Sequence, residues 1–473
     1  MRDKIKEYLE KGILVSPDMT EADLGNIPEK QEGQPATETT PIRKEDKKHP
    51  AHRRKVEVVK TYEEQSAKKD LMDFVNTYNS RYLLLQSILM GRRELEHAMS
   101  IRKCKTAQEG EQVSLIAMIM DVSVTKNDNV MLVLEDQTGT IKAVVTKNNK
   151  DLHTQAKDLT PDEVVGVGGM KGNDIIFLNT IVQPDVPLTK ELKKSPDAEA
   201  AVFISDIHIG SQVFLRKEFE KFISWIRGET GDAAQKELVS KIKYLFIVGD
   251  LVEGIGIFPG QEKELEVEDI YGQYRQFSDY IKKIPEHITI ILCPGNHDPV
   301  RIAEPQPELP SELIPELVSK ENIILVSSPS IVNIGRTAAF SGIDILLYHG
   351  FSFPYYASSI NSIRQAGGLE ATENILKYLL KRRHLAPTHG STQYQLGYDG
   401  DPLVIEDVPD ILATGHVHRI SVDTYRNVTL LNCSCWISQT KYQERRGLMP
   451  QPAWAIYIDL QTRKTTKINF ESK

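Results

Sequence analysis

Short apolar runs that each end in a polar block set the pattern of the second half of the chain. Ala201-Val-Phe-Ile-Ser leads into Asp206-Ile207-His208, and Tyr244-Leu-Phe-Ile-Val into Gly249-Asp250. Ile288-Thr-Ile-Ile-Leu-Cys-Pro leads into Gly295-Asn296-His297-Asp298, Ile345-Leu-Leu-Tyr into His349-Gly350, and Ile411-Leu-Ala-Thr into Gly415-His416-Val417-His418. Apolar runs of this length, rich in β-branched residues, read as central strands buried on both faces. Functional side chains in α/β sheets collect just outside the carboxyl ends of such strands. The pattern therefore predicts an α/β domain over residues 186–473 with Asp206, His208, Asp250, Asn296, His349, His416 and His418 on one rim.

Upstream the period changes. Residues 1–26 place Ile5, Leu9 and Ile13 at helical spacing and predict a small helical element. Residues 27–55 hold Pro, Gly, Thr, Glu, Lys and Arg with almost no apolar content, the composition of a disordered linker. Apolar residues resume at Val56, and 56–110 read as a helical connector. Within it, Leu71, Phe74, Tyr78, Tyr82, Leu85 and Ile88 form a packing stripe. Residues 111–185 then carry five strand-like runs starting at Val113, Val130, Ile141, Val164 and Ile175, with Asp136-Gln-Thr-Gly-Thr as a turn. Five strands with an insert between the third and fourth resemble an OB-fold, a frequent nucleic-acid module that also serves for protein docking. Phe177 is the sole aromatic residue of this segment, and base-stacking platforms need aromatics, so docking is the expected role. Pro184, Pro187 and Pro196 mark a linker over 183–198.

Composition narrows the class. No apolar stretch approaches the roughly 18–20 residues of a membrane span, and Met1-Arg-Asp-Lys-Ile-Lys-Glu lacks the core of a signal peptide. Four cysteines are too few for a disulfide framework. A cytoplasmic protein without a membrane partner is expected. The net charge of −8 does not advertise nucleic-acid binding, yet basic clusters remain at 53–55, Arg92-Arg93, Arg102-Lys103, 381–384 and Arg445-Arg446. Arg382, Arg383 and His384 are expected to contact substrate, because they lie between the His349 and His416 blocks. His389, also outside the five blocks, reads as a channel-lining or a capping and surface residue.

The rim residues point to metal chemistry. Carboxylate, amide oxygen and imidazole are ligands for hard or borderline divalent ions. Two such ions about 3.5–4 Å apart activate water for in-line attack on phosphorus. By residue type, Asp206, His208 and His418 would hold one ion and Asn296, His349 and His416 the other, with Asp250 bridging. The alternation in Asp-Ile-His and His-Val-His suits this, since residues two apart on an extended segment point the same way. His297 would reach the phosphate as proton donor or charge stabiliser. Gly249, Gly295 and Gly415 would permit the sharp turns.

The five ordered blocks resemble the calcineurin-like metallophosphoesterase family, most of all its DNA-processing nucleases. The resemblance implies a four-layer fold, a two-sheet β-sandwich flanked by helices, and a site for two divalent ions, manganese in the nucleases. In Gly249-Asp-Leu-Val-Glu-Gly, Glu253 stands where the commoner pattern has Asp, and it is not an expected ligand. An OB-fold barrel ahead of such a domain is similar to the small subunits of archaeal family-D DNA polymerases, kin to the regulatory B subunits of eukaryotic replicative polymerases. The segments that carry this are Asn79-Ser-Arg-Tyr-Leu-Leu-Leu, Gly249-Asp-Leu-Val-Glu-Gly-Ile-Gly-Ile-Phe-Pro-Gly-Gln and His384-Leu-Ala-Pro-Thr. This likeness implies a proofreading 3′–5′ exonuclease with DNA, a large catalytic polymerase subunit and a sliding clamp as partners. The eukaryotic relatives have lost their ligands, whereas this chain retains them all. The rival readings are an assembly subunit with little nuclease activity and a free-standing phosphodiesterase.

Overall fold

The computed structural model describes residues 56–63 and 69–472; the expected helical element and linker over 1–55 lie outside them. β1 (Val56–Lys60) comes first, followed by the Leu71–Met90 helix. A run of β2 (Gln112–Val124), β3 (Val130–Asp136), β4 (Gly139–Val145), β5 (Val164–Lys171) and β6 (Ile175–Val182) comes next. β7 (Ala200–Ile204), β8 (Ile242–Val248), β9 (Thr289–Cys293) and β10 (Ile323–Leu325) alternate with helices. The chain ends with β11 (Ser330–Ile334), β12 (Ile343–Leu347), β13 (Ile411–Thr414), β14 (Ser421–Tyr425), β15 (Val428–Asn432), β16 (Trp454–Asp459) and β17 (Thr465–Asn469).

Two six-stranded sheets form the sandwich, in the orders β1-β11-β12-β13-β15-β14 and β10-β9-β8-β7-β16-β17. Successive side chains of a strand point to opposite faces, which is why both faces of these apolar strands must be covered. Phe203, Phe246 and Ile291 of one sheet meet Val332, Ile345, Leu347 and Ala413 of the other in a core between the sheets. On the far side of the first, Val202, Ile204, Leu245 and Ile247 pack against Phe219, Phe222, Trp225 and Phe277 of the Arg216–Ile226 and Ile270–Ile281 helices. Outside the second, Leu346, Leu412 and Leu430 pack on Tyr356, Ile375 and Leu379. These are the four layers that the sequence resemblance implied. The helical connector differs at its start, because Val56–Lys60 is an antiparallel edge strand on β11.

β2 to β6 close into the expected five-stranded barrel, order β2-β3-β4-β6-β5, with the Lys150–Lys157 helix as the insert. The Leu71–Met90 helix, capped by reciprocal bonds between Asp70 and Asp73, lays Tyr82, Leu85 and Leu89 against the outside of this barrel. Its Arg81 is fully buried and donates to Asp401 at 2.7 Å.

A second buried ion pair ties barrel to sandwich. Glu163, before β5, accepts from Arg382 Nε at 2.8 Å and from Tyr378 Oη at 2.6 Å, and the Arg382 guanidinium also lies over the Tyr378 ring. Breaking one side of such a pair strands a buried charge, at a cost of about 3–5 kcal/mol. Glu163→Ala should therefore lower unfolding free energy by about that amount in urea titration. Glu163→Leu combined with Arg382→Leu should cost clearly less than the single change.

Candidate metal centre

All seven rim residues sit where strands of the sandwich end. Asp206 and His208 follow β7, Asp250 follows β8, Asn296 follows β9, His349 follows β12, and His416 and His418 follow β13. Asp206, His208, Asp250, His416 and His418 have φ between 50° and 72°, the left-handed region that non-glycine residues seldom adopt. Such backbone is held only where surrounding structure over-determines it, and it concentrates at functional sites. The glycines act less through turning than through closeness. Of the three, only Gly249 has positive φ. A Cβ on Gly249 would lie 2.3 Å from His349 Nδ1, one on Gly295 2.2 Å from Asp250 Oδ1, and one on Gly415 2.5 Å from Asp206 Oδ2.

The side chains converge on Asp250. Its Oδ2 lies 3.2 Å from His349 Nε2 and 3.8 Å from His208 Nε2. His349 Nε2 is also 3.1 Å from Asn296 Oδ1. On the other side, His418 Nε2 is 3.1 Å from His208 Nε2 and 3.3 Å from Asp206 Oδ1. Two donor groups result, Asp206/His208/His418 and Asp250/His349/His416, each with ligand atoms within 4.8 Å of one another. A further group, His208/Asp250/His297, overlaps both.

Electrostatics fit a cation here. Burial opposes ionisation of Asp250, but the imidazole of His349 and the rings of His297 and His208 hold its carboxyl well below the usual range. Burial likewise works against a charge on His349, and Asp250 overrides it, lifting the imidazole to about 10. His416 is half-buried, and desolvation with the facing charge of His349 pushes it down to about 3, so its lone pair is free for coordination. Dry carboxylates beside imidazoles form a donor set that suits divalent ions, and an ion would displace the proton that Asp250 otherwise draws onto His349.

Outer partners fix the rings. His349 Nδ1 donates to the Val248 carbonyl at 3.0 Å, leaving Nε2 toward Asp250. Behind His208, Nδ1 meets Glu253 Oε2 at 3.0 Å, a carboxylate–histidine arrangement that orients a ligand ring. The Glu253 carbonyl accepts from His297 Nδ1 at 2.8 Å, so one residue braces two histidines. The Gln443 amide lies 2.8 Å from His418 Nδ1. Asp298 accepts from the Gly295 and Leu251 amides and from Tyr274 Oη, and burial with the charge of Asp250 raises it to about 6. The supporting roles of Glu253, Asp298 and Gln443 escaped the sequence reading. The Glu253 and Asp298 positions lay inside the polar blocks, but Gln443 carried no signal.

Arg382, Arg383 and His384 do not join the cluster. Arg382 is spent on Glu163 and the Asp158 carbonyl. Arg383 donates to the Ile405 and Glu406 carbonyls, and burial lowers it to about 10. His384 is fully buried, bonded through Nε2 to Asp401, and accepts from the Ala386 amide. Expected to contact substrate, these three instead have their polar groups bonded inside the protein, away from the cluster. His389 is exposed, packed between Phe74 and Tyr394.

Residues 201–419 match the calcineurin-like phosphoesterase family. The DNA polymerase II small subunit of Methanothermobacter thermautotrophicus is 40% identical over 381 residues, 80% of this chain and 76% of the relative. That of Archaeoglobus fulgidus is 38% identical over 82% of this chain and 75% of its own length. That of Pyrococcus abyssi is 35% identical over 84% of this chain and 62% of its own. A phosphoesterase domain of this family implies divalent metal ions.

Burial and the neighbouring Arg81 charge depress His384 to about 4, from an ordinary 6.5. The unfolded chain takes up that proton between these values while the folded chain does not. Stability should therefore fall as pH falls from 6.5 toward 4, by up to ~1.4 kcal/mol per pH unit from this group. In His384→Asn, urea unfolding across that window should show a slope flatter by about one proton.

Proposed function

The chain belongs to the DNA polymerase II small-subunit family and carries a calcineurin-like phosphoesterase domain, and on that premise we propose that it is a manganese-dependent 3′–5′ exonuclease that proofreads for a large catalytic polymerase subunit. The observation that carries this reading is the convergence of seven strand-end donors, six of them around the buried carboxylate of Asp250. Asp206, His208 and His418 would hold one ion, Asn296, His349 and His416 the other, and Asp250 both. Bound there, the ions would supply Lewis acidity toward the phosphate and lower the pKa of water.

The chain's own groups do the rest. Asp250 also accepts from the His297 amide at 2.8 Å, so the bridging residue and the proton-handling residue are positioned together. With Nδ1–H committed to the Glu253 carbonyl, His297 keeps Nε2 as the ring's free nitrogen. When Nε2 is also protonated, it can give that proton to the leaving 3′ oxygen or stabilise charge on the phosphate. Its side chain is half-exposed, unlike the buried His208, Asp250 and His349, as befits a residue that meets a macromolecular substrate. The product would be a deoxynucleoside monophosphate. DNA, the large subunit and a cytoplasmic setting complete the proposal.

With 5′-labelled single-stranded and 3′-mismatched primer–template DNA and manganese, wild type should give a ladder shortening from the 3′ end. Asp250→Ala should give none. His297→Ala should keep manganese uptake and slow cleavage about 10²–10⁴-fold. Absence of cleavage by wild type, even with the large subunit added, would leave an assembly subunit. Cleavage of small phosphodiesters but not DNA would favour a free-standing phosphodiesterase.

A further inference from the structure

Arg382 and Arg383 being spent in the interior, the cations that could guide a polyanion must lie elsewhere. One segment stands out, the strap from Gln439 to Gln451 that holds the Lys441–Arg445 helix. Within six residues it presents Lys441, Tyr442, Arg445 and Arg446, all exposed, against one acidic residue, Glu444. None of the three cations forms an ion pair among the described residues. In a chain of net charge −8, an unneutralised basic cluster is a local feature of that surface. Tyr442 is 51% exposed, with the Arg446 guanidinium 4.9 Å from its ring centroid, and Met449 is 58% exposed. Exposed aromatic and cationic side chains interleaved in one segment are what a stacking and phosphate-contacting platform requires.

The strap is also fastened to the cluster. Its Gln443 side chain touches His418 Nδ1, and the Gln451 amide donates to the His418 carbonyl at 2.8 Å. Arg419, next in the chain, donates to the Met449 carbonyl at 2.7 Å, and the Ile420 amide to Gln451 Oε1 at 3.2 Å. The Thr440–Gln443 capping box closes the helix, so the side that meets His418 is rigid and the opposite side is bare. We propose that this strap is the binding surface for the single-stranded 3′ segment of the substrate, with Tyr442 stacking on a base and Lys441, Arg445 and Arg446 contacting phosphates. The inference rests on the exonuclease reading for its substrate, but its geometry is that of a binding site and is testable without cleavage.

The test is equilibrium binding of a 5′-fluorescein-labelled single-stranded oligodeoxynucleotide to the full chain, followed by anisotropy across a salt series. Every variant carries Asp250→Ala, so that nothing is cut. Arg445→Gln with Arg446→Gln should weaken binding at least tenfold at low salt. It should also reduce the log–log salt slope by about 1.4, the contribution of two phosphates. Tyr442→Ala should weaken binding about tenfold or more, with Tyr442→Phe retaining it. The double change Lys236→Gln with Lys467→Gln removes the same charge from exposed positions elsewhere and should leave affinity within twofold. Thermal melting reports whether each variant folds. An unchanged affinity and slope in the double arginine variant overturns the strap proposal and leaves the exonuclease reading standing. Failure of the Asp250→Ala parent, with its strap intact, to bind the oligonucleotide also overturns it. Retained DNA binding with lost association with the large polymerase subunit would make the strap a protein dock instead. The exonuclease reading falls separately, on the cleavage assay.

Discussion

A carboxylate buried at the meeting point of several strand ends is the constraint around which the catalytic half is arranged. An isolated ionised group in such a place would be prohibitively costly, and it would neutralise unless charge and hydrogen bonds compensated it. Asp250 is compensated from every side: His349 and His208 approach its Oδ2, and the His297 amide donates to its Oδ1. The glycines at 249 and 295 exist in this light as spaces, since a methyl group at either would occupy the volume these contacts need. The two-sheet sandwich delivers the pieces, because its strands are apolar on both faces and end together, leaving only their termini for polar chemistry.

Much of this was legible in the chain. Runs such as Tyr244–Val248 have one plausible environment, and the polar residues directly after them have one plausible location, so the seven residues that the fold brings together could be named from order alone. The five barrel strands were equally plain, because each apolar run ends at a turn signal. Three kinds of information were not legible. Val56–Lys60 pairs with Ser330–Ile334, a partner far along the chain that no local pattern specifies. Arg382 and Arg383 look like a surface cluster by composition, yet their helix ends against the barrel, and tertiary packing decided where their guanidinium groups went. Glu253 read only as a departure from the commoner pattern and not as a ligand, and its position behind both His208 and His297 depends on a turn whose shape sequence does not announce.

The barrel is best understood with the sandwich rather than apart from it. Its Glu163 receives Arg382 and Tyr378, Thr160 accepts from Thr388 at 2.7 Å, and Asp162 accepts from the His389 amide at 2.8 Å. These polar contacts set the orientation of the two parts more narrowly than apolar packing would, because each demands a particular partner. Phe177, the barrel's sole aromatic side chain, is 49% exposed and touches none of these contacts.

The left-handed backbone at five of the seven donor positions has an evolutionary reading. Each of Asp206, His208, Asp250, His416 and His418 sits where glycine would be more comfortable. Any relaxation of selection on the chemistry would therefore be met by substitutions that make the fold easier, not harder, to keep. Glycine at any of the five would ease the backbone and remove a donor in the same step.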